Sequence, residues 1–413
     1  MQFVRTRWAN DPFARGASSY LPLGATSADR LALAAPMDGV VFFAGEATSS
    51  THPATVHGAV ESGRRAVSEL VAAGARASER VVVIGAGAAG LAAAAELRTA
   101  GFAPVVLDAR DRVGGRAHTD TTLGLAVDLG ATWVHDALDA TALVALARQG
   151  GVTLDAFADT PALRDRNGRL RRDAATVHDQ LTAALARVGA GTQAEAELAG
   201  AVANEARRAG LRDPELTYAI TSEVEHALGA AATEISWRGF DDGRAAHPGH
   251  ALPRGGFAAL LAPLAVGIDI RLRTVVTRVE WSRARNRVVA DSGEVPFDRL
   301  VVTVPLGVLQ AGSPIFEPPL PVSKTHAIGR LGVGLVDKLV LRFDEVFWDR
   351  DAPRIGFVGT TPGEWVAWLN LFPFVGEPIL VGFNAALVAR SFDARTDEQV
   401  LASAMSALRA MYR

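Results

Sequence analysis

The stretch RVVVIGAGAAGLAAAAEL, residues 80–97, decides the fold class of this chain. The run VVVI is typical of a buried parallel strand, and the Ala- and Leu-rich run after the glycines favours a helix. Gly85 permits the tight turn between them, Gly87 lets a ligand approach the backbone, and Gly90 lets the helix pack close to the strand. A second apolar strand, PVVLD, ends at Asp108, where a carboxylate can bind ribose hydroxyls. The pattern therefore predicts a dinucleotide site with its phosphates at the helix N-terminus.

The loop that follows the second strand, DARDRVGGRAHT at residues 108–119, adds basic and glycine residues. Gly114 and Gly115 let the backbone approach a second phosphate, and the guanidinium groups of Arg110 and Arg116 suit phosphate oxygens. A solvated charged loop is the alternative interpretation. The first fingerprint fits NAD and FAD alike, whereas this second loop favours FAD.

Composition excludes several classes of protein. The length of 413 residues predicts two or three packed domains, and the formal net charge of −3 provides no basic field for a nucleic acid. The absence of cysteine excludes disulfides, thiolate metal sites and a flavin attached through cysteine. Because no apolar run of about 18 residues occurs and the N-terminus has no apolar signal segment, we predict a cytoplasmic protein without a membrane span.

Periodicity along the rest of the chain predicts a mixed α/β protein. The run VVFFA from Val40 indicates a buried strand, and residues 55–73 favour a helix. Residues 141–232 are rich in Ala, Leu, Glu and Arg and predict a helical insert. Strand-like runs alternate with turns over residues 268–304 and 332–385, before a final helix.

Most of the chain resembles the flavin-containing amine oxidase superfamily, which includes monoamine and polyamine oxidases and the flavin-dependent histone-lysine demethylases. The resemblance implies an α/β fold with a discontinuous Rossmann-type FAD-binding domain and a mixed α+β substrate domain. The segments that carry it are 8–16 (WANDPFARG), 42–67 (FFAGEATSSTHPATVHGAVESGRRAV), 85–97, 107–119, 127–135 (VDLGATWVH), 252–272, 298–309 and 316–343.

The order of these segments differs from the family. Segments 8–16 and 42–67 come last in the family, but here they precede the glycine-rich fingerprint. We therefore predict a circular permutation joined through residues 74–80, GARASER, since termini that lie close together on a surface tolerate such rewiring. The predicted FAD domain comprises residues 38–145 and 251–310, and the predicted substrate domain comprises residues 146–250, 311–413 and 1–37.

The resemblance also implies how a non-covalent FAD is held. It places Glu46 at the ribityl-phosphate portion and Val56 at the pyrimidine edge, where the helix starting after Thr55 stabilises negative charge. Trp8 resembles a tryptophan that packs beside the flavin. The further residues that the resemblance assigns to the cofactor are Gly45, Ala88, Ala89, Ala109, Gly130, Ala131, Thr132, Val276, Thr303 and Pro305.

Lys324 matches, by its flanking segment LPVSKTHAIGRLG, the lysine that holds a water at flavin N5 in the resembling enzymes. The implied reaction is hydride transfer from the carbon next to an amine nitrogen to the flavin, hydrolysis of the imine to an aldehyde, and reduction of O₂ to H₂O₂. The implied partners are thus a small amine and O₂. A flavin oxidase or desaturase of a non-amine substrate, such as an amino acid, a heterocycle or an isoprenoid, is the alternative, as is a non-catalytic FAD-binding protein.

The predicted substrate pocket departs from the family, which flanks the flavin with two aromatic side chains. Ser18 stands at the first aromatic position, with Tyr20 two residues later, and Thr55 stands at the second; Trp133 completes the predicted pocket. Four acids of the helical region, Glu223, Glu225, Asp241 and Asp242, are candidates for binding a second ammonium group of a polyamine. His135, His247 and His250 lack metal-ligand spacing, so we predict no metal.

Overall fold

The strand before the glycine-rich turn lies in the middle of a five-stranded parallel sheet. The computed structural model describes residues 1–135, 141–158, 160–191, 195–242, 249–282 and 286–412. The strands of this sheet, in spatial order, are Asp269–Arg271, Val105–Leu107, Val81–Ile84, Arg299–Val302 and Val41–Phe43. All four pairings between neighbours are parallel. The edge strand Val41–Phe43 comes from the segment that precedes the fingerprint.

The two faces of the sheet are covered by different layers because successive side chains of a strand point to opposite sides. Val81 and Val83 pack against helices, including Val56–Ala72 and Ala88–Thr99, whereas Val82 faces the other way. The layer on the second face is a four-stranded sheet of Gly293–Pro296, Arg287–Ala290, Val276–Glu280 and Ile315–Glu317. The parallel sheet is therefore buried on both faces, as its continuous apolar runs predict.

A six-stranded mixed sheet forms a second centre of the fold. Its neighbours pair antiparallel except at one edge, where Ala162–Asp165 runs parallel to Arg354–Val358. The strands, in spatial order, are Gln2–Arg5, Val336–Arg342, Ile379–Ala385, Ala367–Asn370, Arg354–Val358 and Ala162–Asp165. Smaller sheets are formed by Val134–His135, His250–Pro253 and Leu154–Phe157, by Gly332–Val333 with Ser19–Tyr20, and by Thr119–Asp120 with Val127–Asp128.

The predicted helical insert over residues 141–232 is only partly helical. Two stretches inside it, Leu154–Phe157 and Ala162–Asp165, are strands because each finds a pairing partner distant in sequence. The remaining helical segments of this region are Ala142–Gly150, Ala174–Ala190, Leu198–Arg208, Glu215–Ile220, a π-helical turn at Thr221–Glu225 and His226–Leu228. The other helices are Ser27–Ala34, a 3₁₀ turn at Glu46–Thr48, Trp237–Asp241, Gly256–Ala265, Leu306–Gln310, Val322–Arg330, Phe372–Val375, Ala386–Phe392 and Asp397–Met411.

The first strand of the chain packs against its last helix. Arg5 Nε lies 3.3 Å from a carboxylate oxygen of Asp397, and Arg7 Nη2 lies 2.7 Å from the same atom.

The helix Val56–Ala72 packs closely against Ala88–Thr99 at Gly63, where an added Cβ would lie 2.2 Å from the Ala89 carbonyl oxygen. Within the described ranges, the structure contains no helix that is both long and apolar enough to cross a membrane.

Candidate active site

A single large cavity of about 1240 Å³ connects the glycine-rich turn to an aromatic cluster beside the six-stranded sheet. This volume exceeds the roughly 300–1,000 Å³ of common ligand pockets and suits a large ligand together with a second, smaller one. Every residue predicted to contact the cofactor lines this cavity, with the exception of Gly90. Trp8, Gly45, Glu46 and Val56 thereby come to the same cavity as the fingerprint that follows them in sequence.

The glycines of the fingerprint have distinct roles. Gly85 adopts φ +103°, which a residue with a side chain rarely adopts. At Gly90 an added Cβ would lie 1.8 Å from the Gly85 carbonyl oxygen, so this glycine serves the packing of helix on strand. At Gly87 an added Cβ would meet no atom within 4 Å, so a side chain there would project into cavity space. Because no side chain caps the helix that begins at Ala88, its N–H groups are available to phosphate oxygens.

Asp108 lines the cavity and also fixes the turn. Its Oδ2 accepts a hydrogen bond of 2.6 Å from the Ala86 N–H, and its Oδ1 accepts one of 2.8 Å from the Arg110 N–H. Burial raises the pKa of Asp108, while these two backbone donors act in the opposite direction. The residue thus holds the glycine-rich turn in shape, and its contact with ribose stays a prediction.

The two arginines predicted at a phosphate both form ion pairs with the segment that precedes the fingerprint. Arg110 binds the carboxylate of Asp11 through two hydrogen bonds of 2.8 Å. Arg116 Nη1 lies 2.8 Å from Glu46 Oε1 and donates to the Ala17 carbonyl oxygen at 2.6 Å. Both side chains line the cavity, so they join residues 1–73 to its wall.

Glu46 is a buried carboxylate with several donors around it. Its oxygens accept hydrogen bonds from Ser19 Oγ at 2.6 Å and from the Ala54 N–H at 3.0 Å, besides the contact with Arg116. Although burial opposes ionisation, Arg116, Ser19 and Arg30 together hold the pKa of Glu46 below its ordinary value. Glu46 is therefore an ionised carboxylate held in a fixed position in the wall of the cavity.

Thr55, predicted at the second position of the aromatic pair, is the N-cap of the helix Val56–Ala72. Its Oγ1 accepts from the Gly58 N–H at 2.9 Å and donates to the His52 carbonyl oxygen at 2.8 Å. Thr55 and Val56 line the cavity, so this helix begins at its wall. A threonine here favours the helix start, whereas an aromatic residue would not cap it.

The prediction that Lys324 is the catalytic lysine is wrong in location. Lys324 does not line the cavity. Its Nζ donates three hydrogen bonds to the carbonyl oxygens of Ala32, Leu33 and Ala35, at 3.1, 2.7 and 2.8 Å, and lies 3.9 Å from the centre of the Phe43 ring. Lys324 therefore binds the free carbonyls at the end of the helix Ser27–Ala34, where a cation is favourable.

Lys338 is the lysine that the structure brings to the cavity. It lies on the strand Val336–Arg342, and its Nζ donates to the carbonyl oxygen of Asp128 at 2.9 Å and binds the Gly130 carbonyl oxygen and Thr132 Oγ1. Burial lowers the pKa of Lys338, and the charge of the Asp128 carboxylate opposes that shift. The signal in the sequence was a lysine directly before the apolar run LVL, because a lysine in a buried strand requires a polar partner.

The aromatic end of the cavity differs from the predicted pocket. Ser18, Thr55 and Trp133 line it, but Tyr20 does not. The strand Ser19–Tyr20 pairs with Gly332–Val333, and the Tyr20 hydroxyl donates to Glu234 Oε2 at 3.1 Å instead. The aromatic walls are formed by Trp133, Phe157 and Phe383, with ring centres of Trp133 and Phe383 5.8 Å apart. Phe157 and Phe383 could not be predicted from the resemblance, because they lie on strands far from the family's usual aromatic positions.

The cavity lining also includes Glu223 on the π-helical turn and Arg354 at a strand start, which carry opposite charges. Both act on His226: burial and Arg354 lower the pKa of His226 to about 4, and Glu223 opposes them. Among the candidate acids, Asp241 and Asp242 also line the cavity, where Asp242 forms an ion pair of 2.8 Å with Arg30, and Glu225 lies outside the lining. His135 and His250 line the cavity, whereas His247 lies outside the described residues.

Comparison with known proteins agrees with this geometry. The family model for the flavin containing amine oxidoreductases matches residues 1–71 and 88–413. The chain belongs to the flavin-containing amine oxidoreductase family. Polyamine oxidase 4 of Oryza sativa subsp. japonica is 33% identical over 350 residues, which cover 79% of this chain and 71% of that protein. The human lysine-specific histone demethylase 2 is 28% identical over 364 residues, covering 81% and 44%.

The fold of the oxidoreductase is also similar to solved structures. A putrescine oxidase bound to putrescine aligns with a TM-score of 0.64 and 21% identity, covering 81% of each chain. The mixed α/β fold is thus shared with that protein. Family membership makes FAD the cofactor of this oxidoreductase and amines its substrates, in agreement with a cavity that has an open glycine-rich turn at one end and aromatic walls at the other.

Proposed function

We propose that this oxidoreductase oxidises a diamine or polyamine, with Lys338 as its proton-handling residue and Glu223 as the group that binds the distal ammonium. The observation that carries the proposal is that a buried lysine and an acidic side chain line the same aromatic cavity. The chemistry that FAD would supply when bound is acceptance of a hydride from the carbon next to the reacting nitrogen and reduction of O₂, with two electrons and two protons, to H₂O₂. Water then adds to the imine, so that an aldehyde and the remaining amine leave.

The protein residues have three tasks in this proposal. Trp133, Phe157 and Phe383 exclude water around the reacting carbon, which favours the uncharged amine that the reaction needs. Lys338 Nζ takes up and returns a proton, and a pKa below the ordinary value of lysine suits this task near neutral pH. The carbonyl oxygens of Asp128 and Gly130 hold Nζ in place.

The fit of FAD to the cavity rests on the open space at Gly87 and the uncapped helix behind it. In this proposal the N–H groups of Ala88 and Ala89 would hold the pyrophosphate, and Gly115 leaves room beside Gly87. The N-terminal dipole of the helix that starts at Val56 would stabilise negative charge on the reduced flavin.

Replacing Glu223 by Gln tests the substrate class. We expect KM for putrescine or spermidine to rise about tenfold, because a charge-assisted hydrogen bond contributes roughly 1.5–3 kcal/mol, while kcat changes by less than about twofold. KM for benzylamine, which has no second ammonium, should stay unchanged. Glu205→Gln, in a helix outside the cavity, is the matched control. Equal effects of Glu223→Gln on putrescine and benzylamine would contradict the role of Glu223.

Arg354 supports a second candidate substrate, an amine that carries a carboxylate. A guanidinium in the cavity binds a carboxylate well. Anaerobic bleaching of the flavin by an amino acid but not by spermidine, with Arg354→Gln raising KM for that amino acid, would establish this alternative and refute the polyamine proposal.

We also propose that the order of the chain is a circular permutation and that the predicted domain division holds. The five strands of the parallel sheet all fall within residues 38–145 and 251–310. The amino group of Met1 lies 3.8 Å from Asp344, and the ring of Tyr412 is centred 6.0 Å from the ring of nearby Phe347. These contacts bring residues 1 and 412 to the same short segment.

A reordered gene, encoding residues 74–413 followed by 1–73, tests the permutation. Because the junction joins segments that already lie together, we expect the product to retain FAD and to unfold within about 2 °C of the parent chain, a difference on the order of 1–2 kcal/mol. Loss of flavin binding together with loss of the folded state would refute the permutation.

A further inference from the structure

Two histidines and a glutamate converge at the start of the helix Val56–Ala72, outside the site proposed above. His52 lies in the loop before the helix, and His57 and Glu61 occupy successive turns of it. His52 Nδ1 lies 2.8 Å from Glu61 Oε2, and His57 Nε2 lies 2.9 Å from Glu61 Oε1. The two imidazole rings stack with centres 4.2 Å apart and planes 12° apart. Two nitrogens therefore approach one carboxylate from parallel rings.

This arrangement matches the donor set of a zinc-type site. Two imidazoles and one carboxylate are the protein ligands of several metal centres that keep a further position open for water. One ligand atom from each of the three side chains lies within 4.8 Å of the other two. Ligands about 2.0–2.2 Å from a tetrahedral metal lie about 3–3.5 Å from one another, so small side-chain movements suffice.

The cluster is accessible from the surface, and a small void adjoins its two imidazoles. His57 is buried, while His52 and Glu61 are partly exposed, so an ion can enter from the surface. A void of about 10 Å³ is lined by both imidazoles and by Thr55, Val56 and Trp133, among others. This volume is close to the smallest that holds one water molecule. Thr55, Val56 and Trp133 also line the large cavity, so the cluster lies directly behind its wall.

We propose that His52, His57 and Glu61 bind one divalent transition-metal ion of the zinc type, with water as a further ligand. The ion joins the loop before the helix to the first two turns of the helix and so fixes the wall formed by Thr55 and Val56. This inference is independent of the substrate and of the role of Lys338. This proposal revises the prediction of no metal, which was based on His135, His247 and His250. Neither the spacing of His52 and His57 nor Glu61 matches a metal motif in the sequence.

Equilibrium dialysis of the flavin-loaded protein against Zn²⁺, after treatment with a chelator, tests the site. We expect one zinc per chain at micromolar free zinc, and no comparable binding of Mg²⁺, which prefers oxygen ligands. His52→Ala and Glu61→Gln should each weaken zinc binding at least tenfold. Both side chains are partly exposed, so these variants are expected to keep their flavin, which its absorbance reports directly.

His326→Ala is the matched control, because His326 is exposed on another helix. Zinc should also raise the unfolding temperature of the parent chain and of His326→Ala, but not that of Glu61→Gln, since a ligand that binds only the folded state stabilises it. Zinc binding that is absent from the parent chain, or that is equally strong in both cluster variants, overturns the proposal. If His52→Ala loses its flavin, the comparison of Glu61→Gln with His326→Ala decides alone.

Discussion

Replacing Lys338 by Met is expected to slow anaerobic reduction of the flavin by its amine, or its reoxidation by O₂, by about 100-fold or more. A positioned proton-transfer group commonly contributes 10²- to 10⁴-fold, and Met preserves the length and the apolar part of the side chain without the amine. The flavin should remain bound, because Lys338 contacts the backbone at Asp128 and Gly130 and makes no hydrogen bond to the glycine-rich turn. Stopped-flow absorbance separates the two half-reactions.

The pH profile gives a second measure of Lys338. Since burial lowers its pKa, the uncharged fraction of Nζ increases with pH well below the ordinary lysine value of about 10.4. A step that requires an uncharged Nζ should therefore accelerate as pH rises through the neutral range in the parent chain. The Lys338→Met variant should lack this limb of the profile. An unchanged rate and an unchanged profile would exclude Lys338 from the reaction.

Lys324→Met is the control, since Lys324 is also buried but lies outside the cavity lining. We expect its flavin-loaded fraction to react within about threefold of the parent rate. Its stability should fall, because the carbonyl oxygens of Ala32, Leu33 and Ala35 lose their donor and a buried unsatisfied acceptor costs about 1–3 kcal/mol. If Lys324→Met slowed the reaction and Lys338→Met did not, Lys324 would be the catalytic lysine, as the sequence predicted.

Replacing Gly87 by Val is expected to give a folded protein without flavin. Gly87 adopts φ −74°, which any residue tolerates, and an added Cβ meets no protein atom within 4 Å. The valine side chain would instead occupy the space predicted for the pyrophosphate. We expect FAD affinity to fall at least 100-fold with little change in the circular dichroism spectrum, and titration of the flavin-free protein with FAD measures the loss.

Gly90→Ala provides the contrast for this experiment. An added Cβ at Gly90 would lie 1.8 Å from the Gly85 carbonyl oxygen, so helix and strand must separate and the fold itself should be destabilised. We therefore expect Gly87→Val to lose FAD while it stays folded, and Gly90→Ala to lose stability of the fold. Flavin retained at full strength by Gly87→Val would refute the assignment of the turn to the cofactor.

The residues around the fingerprint could be predicted from the sequence because their roles are local. A strand, a turn with φ +103° at Gly85 and a helix start follow one another within a few residues, and their chemistry depends on that order alone. All predicted cofactor positions but Gly90 line the cavity, and at Gly90 the helix packs against the strand, while contact of these residues with FAD stays a prediction. Family resemblance extended the prediction to Glu46 and Val56, which precede the fingerprint here.

The choice between two lysines required the tertiary structure. Both Lys324 and Lys338 lie in segments that resemble the family, and both are buried. What separates them is the neighbour each one meets: the end of the helix Ser27–Ala34 for Lys324, and the backbone at Asp128 and Gly130 for Lys338. These partners lie about 200 or more residues away along the chain, so no local pattern identifies them.

The aromatic walls and the histidine cluster likewise could not be predicted from local sequence patterns. Tyr20 turns away because its strand pairs with Gly332–Val333, and Phe383 reaches the cavity from an inner strand of the six-stranded sheet. His52 and Glu61 come together only once the loop folds back on the helix. The sequence by itself determined the dinucleotide turn, the parallel strands and the family, since these depend on neighbours along the chain. The tertiary structure decided which lysine, which aromatic rings and which histidines meet, because those contacts depend on long-range strand pairing and on how loops and helix ends pack.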